Sequence, residues 1–339
     1  MKPWIAALAV AVSIFSPSLS GLQPSTRADS EYLTLLRQYA SGRIRESVTA
    51  LAAWPEDRVR TATRPLRAGV DRGLARTAVS FHTETAFVAT RDRLASFHIG
   101  VAQSLLPEAN VARDRTFATR WHGMAALLYA MRRNQVQARR HINLGIGLDG
   151  RSKDALLARG ILEELSVRDV EHNLRGIWST PASGTRLESR LTAAALAYQS
   201  ALESDPQFAE ARLRLGWVLS LNHSSDHARA ELGQLVGPEA RADVRHLAHL
   251  FLGAIADRDK RRDEAAREYA AAHAIFTAQT SFVALIQAEA ILGHDDQVAR
   301  VASAFAAHPP TGRDPWWEFS EGMTSGELVE WMRREAARP

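Results

Sequence analysis

Residues 209–235 read AEARLRLGWVLSLNHSSDHARAELGQL, and residues 246–272 read HLAHLFLGAIADRDKRRDEAAREYAAA. Laid over one another they agree wherever side-chain size matters. Leu215-Gly216, Leu219, Ala228, Leu232 and Leu235 stand over Leu252-Gly253, Ala256, Ala265, Tyr269 and Ala272, at a constant offset of 37 residues. Each stretch holds two apolar-periodic runs separated by a polar turn, the pattern of a pair of amphipathic helices. A glycine in the first helix and an alanine in the second mark the crossing, where two helices approach closest and side chains must be small. Larger residues fill the space on either side.

The register extends in both directions. Stepping 34 residues back from Ala228 reaches Ala194, with Tyr198, Ala201 and the helix-stopping Pro206 at the expected later places, and a unit begun at Thr280 brings Ala299 to the same place. The linker around Gly237-Pro238 adds three residues to that spacing. This pattern resembles the tetratricopeptide repeat, a helix-turn-helix unit of 34 residues with a Leu-Gly pair in its first helix. The resemblance covers residues 191–277 and continues to 308. It implies an all-α fold, a right-handed α-solenoid of helical hairpins with a helical N-terminal region and a C-terminal capping helix.

Composition agrees with that class. Hydrophobic residues make up 46% of the chain but aromatic ones only 7%, so alanine and leucine supply most of the apolar surface, as helices prefer. The net charge is +4, yet acidic and basic residues alternate, as in Arg258-Asp259-Lys260-Arg261-Arg262-Asp263-Glu264. Such mixing marks solvated helix faces rather than a phosphate-binding stripe, and argues against a nucleic-acid partner. There is no cysteine, which excludes disulfide bracing and lipoprotein anchoring. Residues 1–20 combine Lys2, the apolar run Trp4 to Phe15, Pro17 and small residues before Gly21. They are expected to be a cleaved signal peptide, twelve apolar residues being too few to span a bilayer. The mature protein is thus expected in the periplasm or secreted, and not membrane-spanning.

Four regions follow: the leader 1–20, an N-terminal helical region 21–113, an array 114–310 with an insert at 166–187, and a C-terminal cap 311–339. In the second region, helices are expected over Glu31–Ala40 and Arg43–Ala53, stopped by Trp54-Pro55, with a further one over 56–68. Leu74–Phe87 and Arg91–Leu106 follow, before Pro107. Asp114–Met131 and Gln135–Leu148 read as a hairpin, Ala126 and Ala138 taking the small crossing positions. Lys153–Glu164, with Gly160 at its crossing, reads as another first helix, but its partner is displaced by a 22-residue excess holding Trp178 and Pro181. That insert is either a working loop or a surface excursion. Trp316, Trp317 and a helix over Ser325–Ala336, with Leu328, Trp331 and Met332, read as a cover for the array's end, with an exposed recognition patch as the alternative.

No catalytic motif is present: no phosphate-binding or dinucleotide glycine loop, no Gly-x-Ser-x-Gly elbow, no zinc-protease helix and no thiol. Phe81-His82-Thr83-Glu84 lacks ligand spacing. His223 with His227, and His246 with His249, are the strongest metal candidates; the first pair sits at an inter-helix turn, where polar residues are normal, the second has no nearby acidic third ligand, and neither metal nor cofactor is expected. By resemblance, the chain would be a non-catalytic module that holds a protein or peptide in the groove lined by its first helices. Carried onto this sequence, the lining includes Glu210, Leu213, Trp217, Ser220 and Leu221 in one unit, and Leu247, Leu250, Ala254, Asp257 and Arg258 in the next. Trp217 would anchor the partner or serve the core. An envelope scaffold, or an enzyme with its site in the insert or N-terminal third, is the alternative.

Overall fold

The computed structural model describes residues 27–67, 72–106, 115–170, 184–308, 314–320 and 333–334. All regular structure among them is helical. The leader, Trp178 with residues 171–183 of the insert, and Leu328, Trp331 and Met332 of the expected terminal helix lie outside the described residues. The chain divides into two compact units, residues 1–118 with 326–339, and residues 119–325.

The first unit holds α1 (Arg27–Ala40), α2 (Ile44–Ala52), α3 (Glu56–Arg67), α4 (Arg72–Val88) and α5 (Asp92–Leu105). Tyr32, Leu36 and Tyr39 of α1, Leu51 of α2 and Phe81 of α4 are all buried in its core. Tyr39 stacks on Phe81 with ring centroids 4.9 Å apart. α1, α2, α3 and α5 each bury one apolar stripe, whereas α4 is buried on nearly all sides from Leu74 to Ala86.

The second unit begins within α6 (Arg115–Met131) and continues through α7 (Gln135–Leu148), α8 (Lys153–Val170), α9 (Thr185–Ser204), α10 (Ala209–Leu221), α11 (Ser225–Gly233), α12 (Ala242–Arg258), α13 (Arg262–Ile275), α14 (Gln279–Ile291), α15 (Asp295–Ala307) and the single turn α16 (Pro315–Ser320). From α7 to α15 each helix packs on the next in chain order. The glycines sit where the sequence pattern puts them. A Cβ on Gly216 would lie 2.5 Å from Leu232 Cγ, and one on Gly253 would lie 2.5 Å from Tyr269 Cε1. Both pairs are 16 residues apart.

Gly160 meets Tyr198 in the same way, but 38 residues on. The partner of α8 is therefore α9, reached after the whole 22-residue excess. The excess is not a loop throughout, because α8 runs on to Val170 and α9 starts at Thr185. The sequence pattern did not reveal that both helices grow into the excess.

The hairpin turns share one geometry that the sequence hides. Arg133, His223 and Lys260 are the non-glycine residues with left-handed backbone among those described, at φ 57°, 59° and 61°. Gly42 and Gly293 have the same sign at φ 93° and 75°. After each, the next amide donates five residues back: Arg43 to Gln38, Asn134 to Tyr129, Ser224 to Leu219, Arg261 to Ala256 and His294 to Glu289. This is the Schellman closure, which satisfies helix-end carbonyls that would otherwise lack partners. It assigns His223 a backbone role at a turn.

Candidate functional site

The expected groove lining is carried on α10 and α12, and most of it is buried. Glu210, Leu213, Trp217, Ser220, Leu221, Leu247, Leu250 and Ala254 are all covered, and only Asp257 and Arg258 keep partial exposure. Asp257 pairs with Arg262, and Arg258 donates to the Ser220 carbonyl at 3.3 Å. What covers Trp217 and its aromatic neighbours is the chain's own segment 314–320.

That segment is a well-formed helical turn. Asp314 Oδ1 accepts from the Trp316 amide at 2.9 Å, while Pro315 takes the first helical position, where a missing N–H costs nothing. Its buried face is Pro315, Trp316 and Phe319. Trp217, only 2% exposed, lies 4.6 Å from Phe251 by ring centroids and edge-on to Trp316 at 5.6 Å. Phe319 packs on Phe251 at 5.1 Å. The turn is fixed at both ends. Asp314 Oδ2 accepts from the Thr280 amide at 2.8 Å, in the first turn of α14, where an anion is favoured. At the other end, the Phe319 carbonyl accepts from Arg214 at 3.3 Å.

Arg214 is the residue sequence reasoning missed. A charge inside a helix reads as a solvated face, yet this side chain is fully buried beneath Phe319, its Cζ 4.3 Å from the ring centroid. Glu164 of α8 accepts from it at 3.1 Å, and Glu210, one turn back on α10, lies at 3.6 Å. Tyr198 donates to the same Glu164 oxygen at 2.7 Å. Burial opposes the guanidinium charge, but the fields of Glu164, Tyr198 and Glu210 outweigh it and hold the pKa above its ordinary value. The legible signal was the i, i+4 pairing of Glu210 with Arg214.

The two histidine pairs weighed as metal candidates are placed differently. His223 and His227 are exposed at the α10–α11 turn. His246 is buried with Nδ1 2.9 Å from the Ala272 carbonyl, whereas His249 faces Glu268 at 2.7 Å, the acid that only folding brings near. No group of three or more histidine, aspartate or glutamate side chains among the described residues is placed to hold a metal ion.

Two other histidine pairs form instead. In the first unit, His82 Nδ1 lies 2.9 Å from His98 Nδ1 and His82 Nε2 lies 3.1 Å from the Tyr32 hydroxyl. In the second, His122 Nδ1 lies 3.0 Å from His141 Nδ1. Burial lowers His98 to about 4, against the pull of Glu56. Burial and then Arg140 lower His122 to about 4, while burial, His122 and Arg140 lower His141 to about 3. Each therefore folds neutral. The unfolded chain takes up protons first as pH falls through the ordinary 6.5, so stability is complete above that value and drains below it. Thermal melts are expected to lose midpoint from pH 6.5 to 5, above the usual carboxylate range, and less steeply in His141→Gln. The slope is up to ~1.4 kcal/mol per pH unit per histidine.

These features define an all-α protein of consecutively packed helices, one face of which is filled by a short turn from its own chain. The chain matches no protein-family model and no curated protein. No helix among the described residues is long and apolar enough to cross a membrane.

Proposed function

We propose that the second unit is a right-handed solenoid of the tetratricopeptide type and that the protein is a non-catalytic binding module for a peptide or protein segment, acting in the periplasm or outside the cell after removal of residues 1–20. One observation carries this reading. The face formed by α10, α12 and α14 already holds a peptide-sized element by aromatic burial and by a polar contact at each end. The equal spacing of the Gly216 and Gly253 crossings supports the repeat assignment. Glu164 and Glu210 are held by Arg214, and His249 by Glu268, contacts that serve the packing of the helices.

The test is selection of displayed random peptides on the full mature chain. Enriched peptides are expected to bind wild type at least tenfold more tightly than Trp217→Ala, with helicity retained in the variant. Peptides that bind both equally would remove the groove from the proposal, and a failure to enrich any would remove peptide binding altogether. Protein recovered from the exported fraction is expected to begin near Gly21, and a start at Met1 would contradict export by cleavage.

A further inference from the structure

We infer that segment 314–320 is a tethered stand-in for the partner, and that the site is built for a single helical turn carrying aromatic side chains at i and i+3 behind an Asp-Pro start. This rests on the peptide-binding reading above and names its ligand. The occupant's chemistry is written in its contacts. Trp316 and Phe319 pack against Trp217 and Phe251, Asp314 accepts from the Thr280 amide, and Arg214 donates to the carbonyl of Phe319. The site thus measures the length of one turn and reads two rings between its ends.

The segment sits as a ligand sits. It meets the body with one face, while Trp317 is 51% exposed and Glu318 faces solvent. A six-residue helix has no stability of its own, so it persists only while docked. The helices beneath it are braced elsewhere. Gly216 closes on Leu232 and Gly253 on Tyr269, contacts to α11 and α13 that do not involve the segment. Without the segment, Trp217 and Phe251 would form an open aromatic patch of the kind that soluble proteins use for association. A covalently attached occupant acts at a high effective concentration, commonly millimolar for a short connection. A partner segment must displace it, and any change that disengages it raises apparent affinity by the reciprocal of the fraction of sites it had left open.

The experiment uses the full mature chain and a fluorescein-labelled, end-blocked peptide of sequence DPWWEFS, followed by fluorescence polarisation. Trp316→Ala/Phe319→Ala is expected to bind the peptide at least tenfold more tightly than wild type, with binding lost when the peptide's tryptophan and phenylalanine counterparts of Trp316 and Phe319 are alanine. Phe251→Ala in that background is expected to abolish capture. A double variant that stays helical by circular dichroism yet binds no more tightly than wild type overturns the inference. So does loss of cooperative melting in the double variant, because the segment would then be core. Concentration-dependent dimers of wild type that vanish in the double variant also overturn it, the segment then serving exchange between copies. Selected peptides that need Trp217 but lack the paired aromatics would sink this inference while leaving the peptide-binding reading intact. Absence of any peptide binding to either form would sink both.

Discussion

Arg214→Met is expected to destabilise the second unit by about 3–5 kcal/mol at pH 7, the effect of leaving a buried charge without its counterion. The guanidinium is enclosed by Glu164, Glu210, the ring of Phe319 and the carbonyl of Phe319. Methionine fills a similar volume, so the loss is electrostatic rather than a cavity. Glu164 would keep the Tyr198 hydroxyl but no cation from Arg214. Urea unfolding at pH 7, followed by tryptophan fluorescence, measures the effect. A loss under about 1 kcal/mol at pH 7, the range of exposed ion pairs, would show that Arg214 is not enclosed as described. Tyr198→Phe is the milder comparison, removing one neutral donor at about 1 kcal/mol.

Gly160→Ala should be nearly as damaging, at about 2–3 kcal/mol, although alanine is the better helix former by about 1 kcal/mol. The added methyl group would overlap the Tyr198 ring. That ring is fully buried, and its hydroxyl is held by Glu164, so it has no free direction in which to swing. Gly147, near the end of α7, gives the opposite sign. A Cβ there meets nothing within 4 Å, and Gly147→Ala is expected to raise stability by up to ~1 kcal/mol. Parallel thermal melts of the two variants separate steric conflict from helix propensity. If both substitutions stabilise, the close approach of α8 to α9 is wrong.

How far the sequence carried the fold can be followed through these same positions. Gly216 and Gly253 were legible because a missing side chain leaves a mark at fixed spacing, and the amphipathic period set most helix limits within a few residues. Gly160 was legible too, but its partner was not, since register cannot be counted across an insert of unknown shape. Arg133 and Lys260 gave no warning of their left-handed backbone, which nothing in an arginine or lysine advertises. At the site, the sequence singled out Trp217 and residues of α10 and α12 as a groove lining, whereas the structure buries most of them and sets Trp217 against Phe251. Nothing in the sequence signalled that this face would be closed by residues 314–320, roughly a hundred positions on. Asp314-Pro315 marks a helix start, but where a short turn docks depends on rings from α10 and α12 that only the tertiary fold assembles.

The five turns of identical closure bear on how such a chain changes over time. A pair of rods sealed by local bonds alone brings its own corner with it when it is copied, so lengthening the molecule demands no new bend. Where the connection is longer, between α8 and α9, the two rods still meet at one tight place, Gly160 against Tyr198.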